Sequence, residues 1–147
     1  MICLIKTATE KDIRILAELA IQMWDSASLS ELEKDFLNIV NSRNSVCFIR
    51  YSEDTPTGFA QCSLRKDYVE GTSTSPVGYL EGVYIIDEYR NKGYARELVS
   101  ACEKWAKDMG CSEFASDCEL TNENSLRFHL SVGFDEVNRI ICFRKDI

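Results

Sequence analysis

The sequence predicts an α+β domain built on a mixed, mostly antiparallel sheet with helices on both faces. Three observations lead there. Residues 79–86 are aromatic and β-branched apart from Glu81 and Gly82. Beyond Ala95 the apolar side chains Leu98, Val99, Cys102, Trp105, Ala106 and Met109 recur at helical spacing, and residues 114–118 read as strand again. A strand–helix–strand unit of this kind forms a parallel pair, expected at the centre of the sheet. The third observation is an antiparallel hairpin: residues 46–51 and 59–64 have strand composition, and residues 53–58 between them have turn composition.

The remaining elements follow in order. A short first strand is expected at residues 2–5. Thr9 with Asp12 three positions on has the form of a capping box, and Ile13, Leu16, Ala17, Ala20 and Trp24 make a helical stripe. A second helix starts at Ser28 or Ser30, with Leu29, Leu32, Phe36, Leu37 and Val40 facing inward. Residues 67–78 form a loop too long for a simple hairpin connection, a length often kept for function. Gly110 caps the central helix. After a polar turn at residues 120–124, a short helix over 124–132 stops at Gly133, and residues 134–147 are expected to form one or two strands with 140–143 buried. No linker, repeat or low-complexity stretch divides residues 1–147, so one domain is expected.

Composition excludes several classes. Apolar residues make up 45% and charged residues 28%, as in a water-soluble globule. No stretch approaches the roughly 18 apolar residues of a membrane span. The N-terminus turns charged too early for a secretory signal. Seven cysteines, scattered and without a C-x-x-C pair, suit free buried thiols in a reducing cytoplasm better than a disulfide framework or a zinc site. A net charge of −7 argues against nucleic acid and is compatible with a cationic substrate.

The most informative stretch is Arg90-Asn91-Lys92-Gly93-Tyr94-Ala95. A glycine turn opening a helix directs free backbone amides and the positive helix end at one point, which suits a phosphate. Arg90 and Lys92 add charge. An ordinary solvated turn has the same spacing, so the turn alone does not decide. In context, Arg-x-x-Gly-x-Ala after an apolar strand resembles the pyrophosphate-binding motif of the GCN5-related N-acetyltransferase (GNAT) superfamily. It matches neither G-x-x-x-x-G-K-[ST] nor G-x-G-x-x-G. The resemblance implies the GNAT fold, in which the central parallel strands splay apart, with acetyl-coenzyme A as cosubstrate and no metal.

A finer likeness covers nearly the whole chain. Asp67-Tyr68-Val69-x-Gly71, Ser75-Pro76-Val77, Leu80-Glu81-Gly82, Ala115-Ser116-Asp117 and Gly133-Phe134 are together similar to the aminoglycoside 6′-N-acetyltransferases. That resemblance implies substrate contacts at Trp24, Tyr68, Glu81 and Asp117. It implies coenzyme contacts at Val83, Tyr84 and Ile85, at Arg90, Asn91, Lys92, Gly93, Tyr94, Ala95 and Arg96, and at Asn122. Where members of the family can carry an acidic residue near the substrate, this chain has Asn138, which bears on substrate range. The family also implies a homodimer.

The chemistry explains the residue types. A polycationic aminoglycoside calls for carboxylates, and its 6′-ammonium must lose a proton before it can attack. Glu81 is the candidate to take or relay that proton, and the Val83 N–H the candidate to polarise the thioester carbonyl. His129, the only histidine, lies just upstream of Gly133-Phe134, where superfamily members place an acid for the leaving thiolate. Each residue has a plainer reading: Glu81 a solvent-side strand residue, Asp117 a strand end, Trp24 core, Tyr68 a loop anchor, His129 packing. Transfer to another primary amine, or coenzyme binding without catalysis, are the competing functions.

Overall fold

The computed structural model describes residues 4–147. Five strands lie in the order β1-β2-β3-β4-β5: Ile5–Thr7, Ser45–Ser52, Thr55–Arg65, Val77–Ile85 and Phe114–Ser116. The first four pair antiparallel and β4 pairs with β5 in parallel, which is the mixed sheet expected. Among the described residues the first strand spans Ile5–Thr7, sharing Ile5 with the expected residues 2–5 and running on to Thr7. Positions 2 and 3 lie outside the described residues.

Four helices cover the sheet: α1 (Ile13–Ala20), α2 (Leu29–Val40), α3 (Tyr94–Asp108) and α4 (Glu123–Ser131). The capping box at Thr9 forms, and it starts a single 3-10 turn, Glu10–Asp12, that leads into α1. Ser28 caps α2 in a second box with Glu31. Strand alternation divides the core between the two faces. Leu16, Ala17, Leu32 and Phe36 of α1 and α2 pack on Cys47, Ile49 and Phe59. On the other face Leu98, Val99 and Cys102 of α3 pack on Val46, Ala60, Cys62, Leu80 and Ile85. Two residues expected inward are exposed, Leu37 at 38% and Met109 at 41%, since each sits at the margin of its helix's apolar stripe.

The six described cysteines are free. Burial, reinforced by neighbouring Cys62, pushes the Cys47 thiol up to about 12, so it stays protonated and packs as a small apolar group. No described helix is long and apolar enough to cross a membrane.

Residues 134–147 correct the expectation of C-terminal strands. They form neither strand nor helix, and Ile140, Ile141 and Phe143 are 65%, 81% and 91% exposed rather than buried. The segment touches the 67–71 loop, where Asn138 donates to Glu70 and the Val137 side chain lies against Gly71. Beyond that point it joins no sheet edge. Apolar patterning states what a segment would bury, but not which edge is available to receive it.

Candidate active site

The β3–β4 ladder contains the feature on which the site is built. Cys62 pairs with Leu80 and the adjacent Gln61 with Gly82, so Glu81 is an extra residue in a β-bulge. The bulge resets the alternation of β4: Leu80, Val83 and Ile85 all belong to the α3 side. Glu81 and Gly82 both point to the opposite face. A Cβ on Gly82 would lie 2.9 Å from the Trp24 ring, so only glycine lets that indole sit against the strand. Trp24 lies past the end of α1, half-buried, and meets Phe59 edge-on at 6.0 Å.

Both carboxylate oxygens of Glu81 are engaged. It accepts from Ser63, and from Arg65 in a fork of 2.7 Å to Oε1 and 3.1 Å to Oε2. The Arg65 guanidinium also lies 3.5 Å over the Tyr79 ring, and the Tyr79 hydroxyl donates to Asp117 just beyond β5. Burial, then the bond to Asp117, pushes the Tyr79 hydroxyl well above its ordinary value, so it remains a donor. Glu81 and Asp117, singled out from sequence, are thereby joined through Arg65 and Tyr79. Ser63, Arg65 and Tyr79 were missed; the signal for the first two was a polar run, Gln61, Ser63 and Arg65, on one face of an otherwise apolar strand.

Beyond Leu80 the sheet opens into a gap. β4 continues to Ile85, whereas its pairing with β5 covers only Gly78–Leu80. The backbone of Val83, Tyr84 and Ile85 therefore has no β5 neighbour, which is the splay expected of the central pair. Just past this gap the turn carries two left-handed residues, Asn91 at φ 62° and Gly93 at φ 84°. No side chain caps α3, and its first helical bond runs from the Glu97 amide to the Gly93 carbonyl at 3.1 Å, so the Tyr94, Ala95 and Arg96 amides have no helical carbonyl ahead of them. A Cβ on Gly93 would meet nothing within 4 Å, so open space lies in front of the turn. These features fit a diphosphate.

The basic side chains brace the turn. Arg90 donates to the Ile85 carbonyl at 2.8 Å and pairs with Asp87, and Arg96 reaches the Ser131 carbonyl at 2.6 Å. The Lys92 ammonium lies 5.5 Å over Tyr89. Tyr94 packs beneath Arg50, whose guanidinium is 3.1 Å from the ring centre and paired with Glu97. Asn122 accepts from the Ser125 amide as the cap of α4. His129 donates from Nδ1 to the Ser125 carbonyl at 2.7 Å, and its Nε2 lies 2.8 Å from Ser116 Oγ, which ties α4 to β5. Tyr68 is 76% exposed on the 67–71 loop. Among the described residues no group of three or more His, Cys, Asp or Glu could hold a metal ion.

A bulged carboxylate strand, a gap beside it and an uncapped glycine turn are the features expected of an acetyl-coenzyme A-dependent N-acetyltransferase. The chain belongs to the acetyltransferase (GNAT) family, whose model matches residues 13–134. Within it, the chain is similar to aminoglycoside N(6′)-acetyltransferase type 1 of Acinetobacter haemolyticus, at 36% identity over 97% of this chain and 98% of that one. The counterpart from Acinetobacter genomosp. 13 is 42% identical over 84% and 82%. Among solved structures, aminoglycoside N-acetyltransferase AAC(6′)-Iy in complex with coenzyme A superposes with a TM-score of 0.94 at 31% identity, covering 97% and 94% of the two chains.

Proposed function

We propose that this chain transfers the acetyl group of acetyl-coenzyme A to the 6′-amine of aminoglycoside antibiotics by direct attack in a ternary complex. The observation that carries this is the bulge at Glu81, which sets a carboxylate beside the gap between β4 and β5. The activity named for the relatives supports the substrate class. AAC(6′)-Iy has also been solved with a bisubstrate analogue, coenzyme A-S-monomethyl-acetylneamine, at a TM-score of 0.93 to this chain.

Bound acetyl-coenzyme A supplies the electrophilic thioester. Glu81 and Asp117 hold the substrate ammonium, and Glu81 takes or relays its proton, directly or through water. The Val83 amide polarises the thioester carbonyl, and Tyr84 and Ile85 line the cosubstrate arm with backbone. The turn from Arg90 to Arg96 receives the diphosphate on its amides, and Asn122 borders the same side. Trp24 and Tyr68 pack on sugar rings, and Asn138, through Glu70, sets the position of the loop that carries Tyr68. A thiol-release assay with kanamycin, spermidine and a peptide tests the reading. Release with kanamycin supports it, and release with spermidine or peptide alone would move the chain to another amine.

The proton for the departing thiolate comes from His129 or from water. Both ring nitrogens of His129 are engaged by Ser125 and Ser116, which supports a positioning role. Thiols ionise near pH 8.5, so a dedicated acid offers a modest advantage. A His129→Phe variant is expected to keep more than about a third of wild-type kcat with an unchanged pH–rate profile. Loss of one limb of that profile, with a fall of about a hundredfold, would make His129 the acid.

A cytoplasmic location accords with the free thiols. A homodimer accords with the exposed apolar side chains at Val137, Ile140, Ile141 and Phe143, which a second copy would cover. Sedimentation equilibrium is expected to give twice the chain mass, and truncation after Arg139 to reduce it; a full-length monomer at micromolar concentration would refute the dimer.

A further inference from the structure

Glu81 carries two oxygens, and both are already occupied. Arg65 binds them through Nη2 and Nε, and Ser63 donates to Oε2 as well. The guanidinium is further held by the face of Tyr79, whose hydroxyl is turned toward Asp117. The carboxylate that should meet an incoming ammonium is therefore filled by a cation belonging to the chain. Arg65 ends β3, and its side chain is 43% exposed against 23% for Glu81, so the arginine is free to swing outward while the glutamate stays in place.

We propose that Arg65 is a resident guanidinium that a substrate amine must displace from Glu81, so that this arginine positions the carboxylate and sets the affinity of the site for amines. A lone ammonium exchanging with Arg65 trades a planar, two-bond fork for a point charge and gains little. An amine that brings further ammonium groups offsets the exchange elsewhere, with Asp117 within reach of the same network. No covalent step is involved. The displaced arginine moves to solvent, and the charge at Glu81 stays balanced before and after.

This inference rests on the reading of Glu81 as the amine's carboxylate, and the test separates the two. Arg65→Met keeps an aliphatic stem over Tyr79, and Arg65→Lys keeps the charge without the fork. With wild-type enzyme as reference, kcat and KM are measured for kanamycin and for cyclohexylmethylamine, a singly charged primary amine. In Arg65→Met the KM for kanamycin is expected to fall about three- to tenfold, what a half-exposed forked pair is worth. The KM for the monoamine should fall by a similar factor, because the contact displaced from Glu81 is the same, with Arg65→Lys in between. Placed in a Glu81→Gln background, where the charged fork is already gone, Arg65→Met should change KM by a clearly different factor.

A KM for kanamycin that is unchanged or raised in a variant that still binds acetyl-coenzyme A overturns the inference, since Arg65 would then help the substrate. If Arg65→Met lowers KM equally with and without Glu81, the arginine acts through general charge and the inference also fails. If Glu81→Gln leaves kanamycin turnover intact, the amine site itself is misplaced and both readings fall together.

Discussion

Glu81→Ala is expected to lower kcat/KM for kanamycin and tobramycin by about a hundredfold or more, the lower range for loss of a positioned base. Acetyl-coenzyme A binding should stay near normal, because the glycine turn and the β4 backbone assigned to the cosubstrate do not involve the Glu81 side chain. Two losses combine in this variant. The proposed base disappears, and Arg65 loses its partner, leaving an uncompensated cation at the proposed amine site. Glu81→Gln retains acceptor capacity for Arg65 and separates the two contributions; it should bind aminoglycoside better than the alanine variant yet turn over as slowly. Asp117→Ala is expected to cost less, about tenfold, since it removes one hydrogen-bonded charge and frees the Tyr79 hydroxyl. Steady-state kinetics beside calorimetric titration of acetyl-coenzyme A decide the matter. Wild-type kcat/KM in both alanine variants would show that the amine binds elsewhere.

Gly93→Val should weaken acetyl-coenzyme A binding at least tenfold, about 1.4 kcal/mol. Two effects point the same way. Gly93 sits at φ 84°, which a β-branched side chain adopts only at a cost, so the turn would shift and carry the first amides of α3 with it. The new side chain would also stand in the open space before the turn, where a Cβ meets no protein atom. That openness matters for interpretation, since the substitution creates no clash inside the fold. Gly93→Ala shares the backbone strain with less bulk and should fall between. Calorimetry on the folded variants gives the answer, and an unchanged dissociation constant for Gly93→Val would sink the assignment of the diphosphate to this turn.

Much of the site was legible because its signals are local. The Arg90–Gly93 turn was read from a glycine before a helical stripe, and the left-handed glycine with an uncapped α3 behind it is the physical counterpart of that pattern. The boxes at Thr9 and Ser28 needed only residues three positions apart. Glu81 and Asp117 were singled out by the likeness to the aminoglycoside 6′-N-acetyltransferases, and both lie where β4 and β5 part. His129 drew notice as the only histidine, but its bonds to Ser116 and Ser125 depend on how α4 docks against β5.

By itself, then, the sequence determined the order of strands and helices as far as Gly133, the two-sided core and the glycine turn. Each follows from side chains within a turn or two of one another, where periodicity and capping act. Tertiary structure alone decided that Glu81 is a bulged residue, because a bulge exists only in the register of one strand against another. It also decided that Arg65, 16 positions earlier, closes on that glutamate, and that Tyr79 links the pair to Asp117. The same holds for residues 134–147: their apolar side chains suited a strand, but a strand needs a free edge within reach, and backbone hydrogen bonds to such an edge are a property of the assembled sheet.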